Sequence, residues 1–276
     1  QVNFLKTNGI KKKINFIFLF FYCVIFSQTP KTIDEECKKI PSFFKNEKKE
    51  YVLNRINNII NSSIKLNYSK GKVFGYYNKA YYYYKEYNLD NSIKYLKLVK
   101  NEDYFKKDAN MQSKVYVFLG EAYLRSSLND EAVDHFKLAV KASHKILPRN
   151  KGVYQEAIAF NDLAAVFAKS NFDSLYYYSL KSYKILKNFP DRNDSLNVLL
   201  ARSAASIGIL YKYSNLKVAD SSVYYMKESL MFIPKNINSE SFEPQLYNQI
   251  SKIYFMNGLP DEAKRYAELY TKSAEE

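Results

Sequence analysis

Tryptophan is absent from these 276 residues, and glycine (seven) and cysteine (two) are scarce. So few glycines argue against the loops that cradle phosphates, and no P-loop, dinucleotide fingerprint or nucleophile elbow is present. If residues 1–27 are removed, Cys37 is the one thiol left of Cys23 and Cys37, so no intramolecular disulfide can form. The two histidines, His135 and His144, have no cysteine or acidic pair at metal-ligand spacing. Asp134 lies beside His135, but adjacent helical residues do not face each other. The expectation is therefore no catalytic residue, no metal, no cofactor and no enzymatic activity.

What the chain does have is apolar and basic residues. A hydrophobic content of 47% argues for a folded protein. The formal charge of +14 invites a nucleic-acid or anionic-membrane partner. However, lysine alternates with Glu and Asp along the chain, as on solvated helix faces. No recognised nucleic-acid module accompanies the charge, so nucleic-acid binding through this chain is not expected.

Lys11-Lys12-Lys13 precedes a short apolar run from Ile14 to Phe26, with Ile25 and Ser27 suited to the −3 and −1 positions of a cleavage site. This reads as a signal peptide over residues 1–27, and the run is short for a membrane-spanning helix. Its removal takes four lysines and no acid, leaving +10. Export follows, to the periplasm or to the outer side of the inner membrane. Membrane attachment would then need an uncleaved N-terminus or a further C-terminal helix. Residues 28–66 read as an irregular lead-in, holding Pro30 and Pro41, and a capping helix whose apolar positions Tyr51, Val52, Ile56, Ile59 and Ile60 recur at helical spacing.

From residue 67 to 276 the sequence repeats. Small residues recur at Ala80, Gly120, Ala164, Gly208 and Ser251, spaced 40, 44, 44 and 43 apart. Three positions after each stands an aromatic: Tyr83, Tyr123, Phe167, Tyr211 and Tyr254. Four positions before stand Tyr76, Tyr116, Phe160, Ala204 and Tyr247. Second-helix positions follow at Ser92/Leu96/Val99, Ala132/Phe136/Ala139 and Ala263/Ala267/Tyr270. The third copy reads as Tyr176/Leu180/Tyr183, and the fourth fits with about two extra residues in its turn. Pro148, Pro190 and Pro234 fall between copies, and Asp194-Ser195 and Ser239 are candidate N-caps.

This pattern resembles the tetratricopeptide repeat, a helix–turn–helix unit that buries its apolar face by stacking on its neighbours. The resemblance implies an all-α, right-handed α-solenoid of about five hairpins (about 67–105, 106–147, 150–189, 194–234 and 239–276). It also implies a concave groove lined by the first helix of each repeat, at fixed offsets from the anchor. Carried over residue by residue, those offsets give Tyr77, Tyr81, Tyr84, Lys85, Glu121, Arg125, Asn161, Lys169, Lys212, Tyr213, Asn248 and Lys252, with Phe74 beside them. Lys85, Arg125 and Lys169 form a ladder at one offset, which would suit a carboxylate-bearing peptide.

The expected function is an exported, non-catalytic module binding a protein or peptide, an acidic one included, in that groove. The alternative is the sensor half of a membrane-bound regulator or histidine kinase whose effector parts lie in a longer chain. A last repeat without a polar capping helix also leaves open pairing with a second chain.

Overall fold

The computed structural model describes residues 28–190, 192–213, 219–234 and 242–275. The expected signal segment and Ser239 lie outside them, as do the side chains of Lys212 and Tyr213. All regular structure among the described residues is helical. The helices are α1 (Pro30–Asn46), α2 (Lys49–Lys65), α3 (Ser69–Lys85), α4 (Leu89–Asn101), α5 (Asp103–Lys107), α6 (Ala109–Arg125) and α7 (Asn129–Ser143). They continue as α8 (Arg149–Phe167), α9 (Phe172–Lys187), α10 (Asp194–Tyr213), α11 (Ala219–Phe232), α12 (Phe242–Met256) and α13 (Pro260–Glu275). No described helix is long and apolar enough to cross a membrane.

Each helix packs on the next in sequence, and α1 with α3, α6 with α8, and α8 with α10 also touch. That pattern is an α-solenoid: five repeat hairpins (α3–α4, α6–α7, α8–α9, α10–α11, α12–α13) preceded by the pair α1–α2. The lead-in expected to be irregular is instead a helix. Pro30 occupies its first turn, where the missing amide costs nothing, and Thr29 and Thr32 close a capping box ahead of it. The proline inside the helix, Pro41, sits on a two-helix base whose core is Ile33, Ile40, Val52, Ile56, Ile59 and Ile60. A full hairpin therefore covers the first repeat, rather than a single helix.

Small anchors and serines set how closely the two helices of a hairpin approach. Gly120 lies against Phe136, so that a β-carbon there would stand 2.5 Å from the ring. Seven residues before the anchors, a serine hydroxyl crosses to the facing backbone, from whichever helix carries it. Ser113 donates to the Ala139 carbonyl (3.1 Å), Ser182 to Ala157 (3.3 Å) and Ser229 to Ala201 (2.7 Å). At the anchor itself Ser222 donates to Gly208 (2.6 Å), and Ser251 donates to Ala263 (2.8 Å). A buried hydroxyl is tolerated because it finds a carbonyl, and the pairing admits only a short side chain between the helices.

The recurring aromatic has a partner in every repeat. Tyr83 pairs with Tyr95 at 5.6 Å between ring centroids, Tyr123 with His135 at 5.0 Å and Phe167 with Tyr178 at 5.8 Å. Tyr211 pairs with Tyr225 at 5.8 Å and Tyr254 with Tyr266 at 5.7 Å. In four repeats the aromatic four residues before the anchor also approaches the same second-helix ring, 6.2–6.3 Å away. His135 thus stands where the other repeats carry tyrosine. Burial lowers its pKa from the ordinary 6.5, so it packs as a neutral ring.

The expected register slips in the third repeat. Its buried second-helix residues are Leu175, Ser179 and Ser182, one residue earlier than Tyr176, Leu180 and Tyr183. The turns at Tyr87, Ser127 and Gly258 each place one residue at positive φ (56°, 60° and 73°), whereas no such residue occurs in the turn after Phe167. Asn171 caps α9 there, one residue sooner than Asn88 caps α4 relative to its anchor. In the fourth repeat Ser222, Met226 and Ser229 are buried, two residues late, as the sequence suggested. Asn193, and not Asp194 or Ser195, caps α10, accepting from the Leu196 amide at 3.0 Å. Ala267 and Tyr270 keep the repeat spacing but are exposed on the outer side of α13. Phe255, Met256, Leu259 and Leu269 are exposed near them.

Candidate functional site

A groove of about 530 Å³ opens across the first helices at the N-terminal half of the array. Its walls come from α1 (Cys37, Pro41), α3 (Phe74, Tyr77, Asn78, Tyr81, Tyr84), α6 (Lys114, Val117, Phe118, Glu121) and α8 (Tyr154, Gln155, Ile158), with Met111 beneath. The first-helix residues six before the anchors, Phe74, Lys114 and Ile158, all line it. Phe118 is at its centre, edge-on to Tyr77 (5.5 Å), Tyr84 (5.1 Å) and Tyr81 (6.2 Å). Tyr81 also meets Phe44 of α1 at 4.9 Å. Rings of this size separate α3 from α6, where serine and alanine let the helices of a hairpin meet closely; that separation opens the groove. A second, more polar cavity of about 480 Å³ shares Lys114, Tyr154 and Gln155 and runs on to Asn193 and Ser195.

Among the residues expected to face the groove, Tyr77, Tyr81, Tyr84 and Glu121 line it. Lys85 and Arg125 flank it, spread over its rings. The Lys85 ammonium is 5.9 Å from the Tyr81 ring, and the Arg125 guanidinium is 4.2 Å from Tyr84 and 5.6 Å from Tyr87. Lys169 is exposed and lines no described cavity with them. Asn161 is taken up between helices: its carbonyl accepts from Ser203 of α10 (3.0 Å), while its amide nitrogen is buried without a partner. Asn248 is half-buried at the far end of the array, and the exposed Lys252 borders a separate cavity on the last repeat.

Two residues that the carried-over offsets missed belong here: Phe118, which lines the groove, and Asp162, within electrostatic reach of Glu121 and Tyr84. Both lie two positions before an anchor, as does the groove residue Asn78. Asp162 Oδ2 is buried and has no hydrogen-bond partner. Burial, then the Glu121 charge, push its carboxyl up to about 8, with Arg202 pulling the other way. Burial also raises Glu121, against the pull of Arg125. The signal in the sequence was an Asn-Asp pair inside the apolar run from Ala157 to Phe167, where any polar side chain needs a reason. No group of His, Cys, Asp and Glu among the described residues could hold a metal ion.

Fold and groove together define a stack of helical hairpins with a concave face. No protein-family model matches the chain, and no curated protein matches it in sequence. Solved structures do match in shape. The apo form of RapI superposes with a TM-score of 0.71 at 14% identity, over 98% of this chain and 73% of that one. BtubC from P. vanneervenii gives 0.67 at 15%, over 83% and 91%. A signal-transduction ATPase with a tetratricopeptide repeat sensor, PH0952 from Pyrococcus horikoshii, gives 0.56 at 17%, over 90% of this chain and 38% of that protein. At such identities the likeness is one of fold, and the fold is a tetratricopeptide-like α-solenoid.

Proposed function

We propose that this chain is an exported, non-catalytic interaction module that holds a peptide or protein partner in its first-helix groove. The observation that carries this is the groove itself: about 530 Å³ of concave, tyrosine-lined space built from four helices and left open by the fold. Rings with polar tips are suited to grip an extended peptide, whose backbone can bond to hydroxyls while its side chains lie on the ring faces. The acidic preference expected from the lysine–arginine ladder has less support once Lys85 and Arg125 lie over Tyr81 and Tyr84. The proposal is therefore for a peptide without regard to that ladder. Export rests on residues 1–27, and the N-terminal mass of the protein recovered outside the cytoplasm would test it.

The binding test is capture of peptides from a random heptapeptide display library by the full protein. Lys114→Trp, at an exposed lip residue shared by both cavities, should abolish the capture. Capture that survives this change would place the partner elsewhere. The likeness to a protein with a repeat-built sensor favours, as a second reading, the sensor half of a larger regulator. The reading frame beyond residue 276 would decide it, a membrane helix and an effector module being the expected continuation.

A further inference from the structure

We propose that the groove selects a cationic side chain, a lysine or arginine of the bound peptide, and seats it between the tyrosine rings and the Glu121–Asp162 carboxylates. This rests on the groove being the peptide site, and adds the chemistry of what it takes.

The protein's other buried carboxylates show what a satisfied one looks like here. Glu156 is bonded by Arg149 (2.5 Å) and His144 (3.0 Å). Glu228 accepts from Tyr183 (2.5 Å) and pairs with Lys187. Both are structural and complete. Asp162 is half-buried, yet its Oδ2 is shut off from solvent with no partner, and no ion pair at contact distance reaches Asp162 or Glu121 among the described residues. Arg125 and Arg202 act on the pair only through space, and Arg125 is stacked on Tyr84 and Tyr87. The groups that reach Glu121 or Asp162 are thus Arg125, Arg202, Tyr77 and Tyr84. None of them is a cation in contact with the pair.

A fold does not gain by burying an unpartnered acid, and this one lies within electrostatic reach of Glu121 and Tyr84 in the groove wall, which points to a ligand that completes the pair. The rings around it narrow the choice. Tyr77, Tyr84 and Phe118 present π-faces and edges beside Glu121, and a flat or tetrahedral cation gains from both the carboxylate and the rings. An anionic peptide would instead bring a like charge beside Glu121 and hold Asp162 protonated. Binding a cation here ionises Asp162, so uptake of the ligand releases a proton.

The experiment uses the full protein and the random heptapeptide display library. The parent should enrich Lys or Arg at one fixed position of the captured peptides. The isosteric pair Glu121→Gln/Asp162→Asn should lose that enrichment and still capture peptides. A captured arginine peptide should bind roughly tenfold or more tighter at pH 8.5 than at pH 6, since its site is ionised only above the raised carboxyl. The same peptide with citrulline in place of arginine should show no such step. Enrichment of acidic or purely apolar peptides, or basic enrichment that persists in the double variant, overturns the inference and leaves the groove as the peptide site. Loss of all capture above the bare support overturns both. A circular-dichroism melt of the double variant at or above the parent's midpoint shows that any loss comes from the site, not the fold.

Discussion

Gly120→Ala tests whether the close approach of α6 and α7 is what the repeat anchor provides. The added β-carbon would lie 2.5, 2.6 and 2.8 Å from Phe136 ring atoms, inside any ordinary van der Waals contact. Phe136 is fully buried, so its ring has nowhere to swing. Removing glycine from a helix interior returns about 1 kcal/mol of helix propensity. Forcing a methyl into a packed core costs about 1–3 kcal/mol. The net expectation is neutral to about 2 kcal/mol of destabilisation, and Gly120→Leu, with three more carbons, must fall at or beyond the upper end.

The first repeat supplies a control: it carries Ala80 opposite Leu96, both fully buried. Phe136→Leu alone should cost about 1 kcal/mol, yet in the Gly120→Ala background it should recover stability. The cycle should therefore show a coupling of about 1–2 kcal/mol, as residues in contact do. The assay is urea unfolding of the full chain followed at 222 nm, read as a midpoint because repeat arrays unfold by neighbour-coupled units. An alanine variant more stable than the parent, with no coupling to Phe136→Leu, would refute this account of the anchor.

Ser127→Gly should raise the urea midpoint by about 0.5–1 kcal/mol of stability, because Ser127 holds φ 60° in a turn whose last-repeat equivalent is Gly258. His135→Tyr restores the ring pair found in the other four repeats and should stabilise by about 0.5–1 kcal/mol at neutral pH. The parent should also lose stability as pH falls below about 6.5, because the unfolded histidine takes up a proton that the half-buried ring resists. The tyrosine variant should lack that loss, which thermal melts from pH 7.5 to 5 would show. Asp162→Asn should stabilise the unliganded protein by about 1–3 kcal/mol at pH 8, since it removes a carboxylate that is unpartnered when buried. The folded carboxyl is raised to about 8 from 3.8, so the parent loses stability as pH rises from about 4 to 8. The advantage of asparagine should grow across that window and level off above it; a constant advantage in melts at pH 5 and 8 would count against the buried, unpartnered carboxyl.

The architecture of the five repeats was legible in the order of residues alone. Small anchors and aromatics three residues later recur because each hairpin must meet its neighbour in one geometry, and such a constraint is written once per repeat. Even the two-residue delay in the fourth repeat was legible, since Ser222, Met226 and Ser229 keep the spacing among themselves. What lay in single copies was not legible. The one-residue advance of α9 depends on a turn that omits the left-handed residue, and no residue type announces that omission. The helix at Pro30–Asn46 was hidden by two prolines, one placed harmlessly in the first turn. The groove was half visible: Tyr77, Tyr81, Tyr84 and Glu121 followed from their offsets, whereas Phe118 lines it, and Asp162 acts on its Glu121, from a position those offsets had left out. Only the tertiary structure could show that Asp162 meets no cation while Glu156 and Glu228 do, because a partner's absence is a property of the space between helices and leaves no mark on the spacing of residues within one.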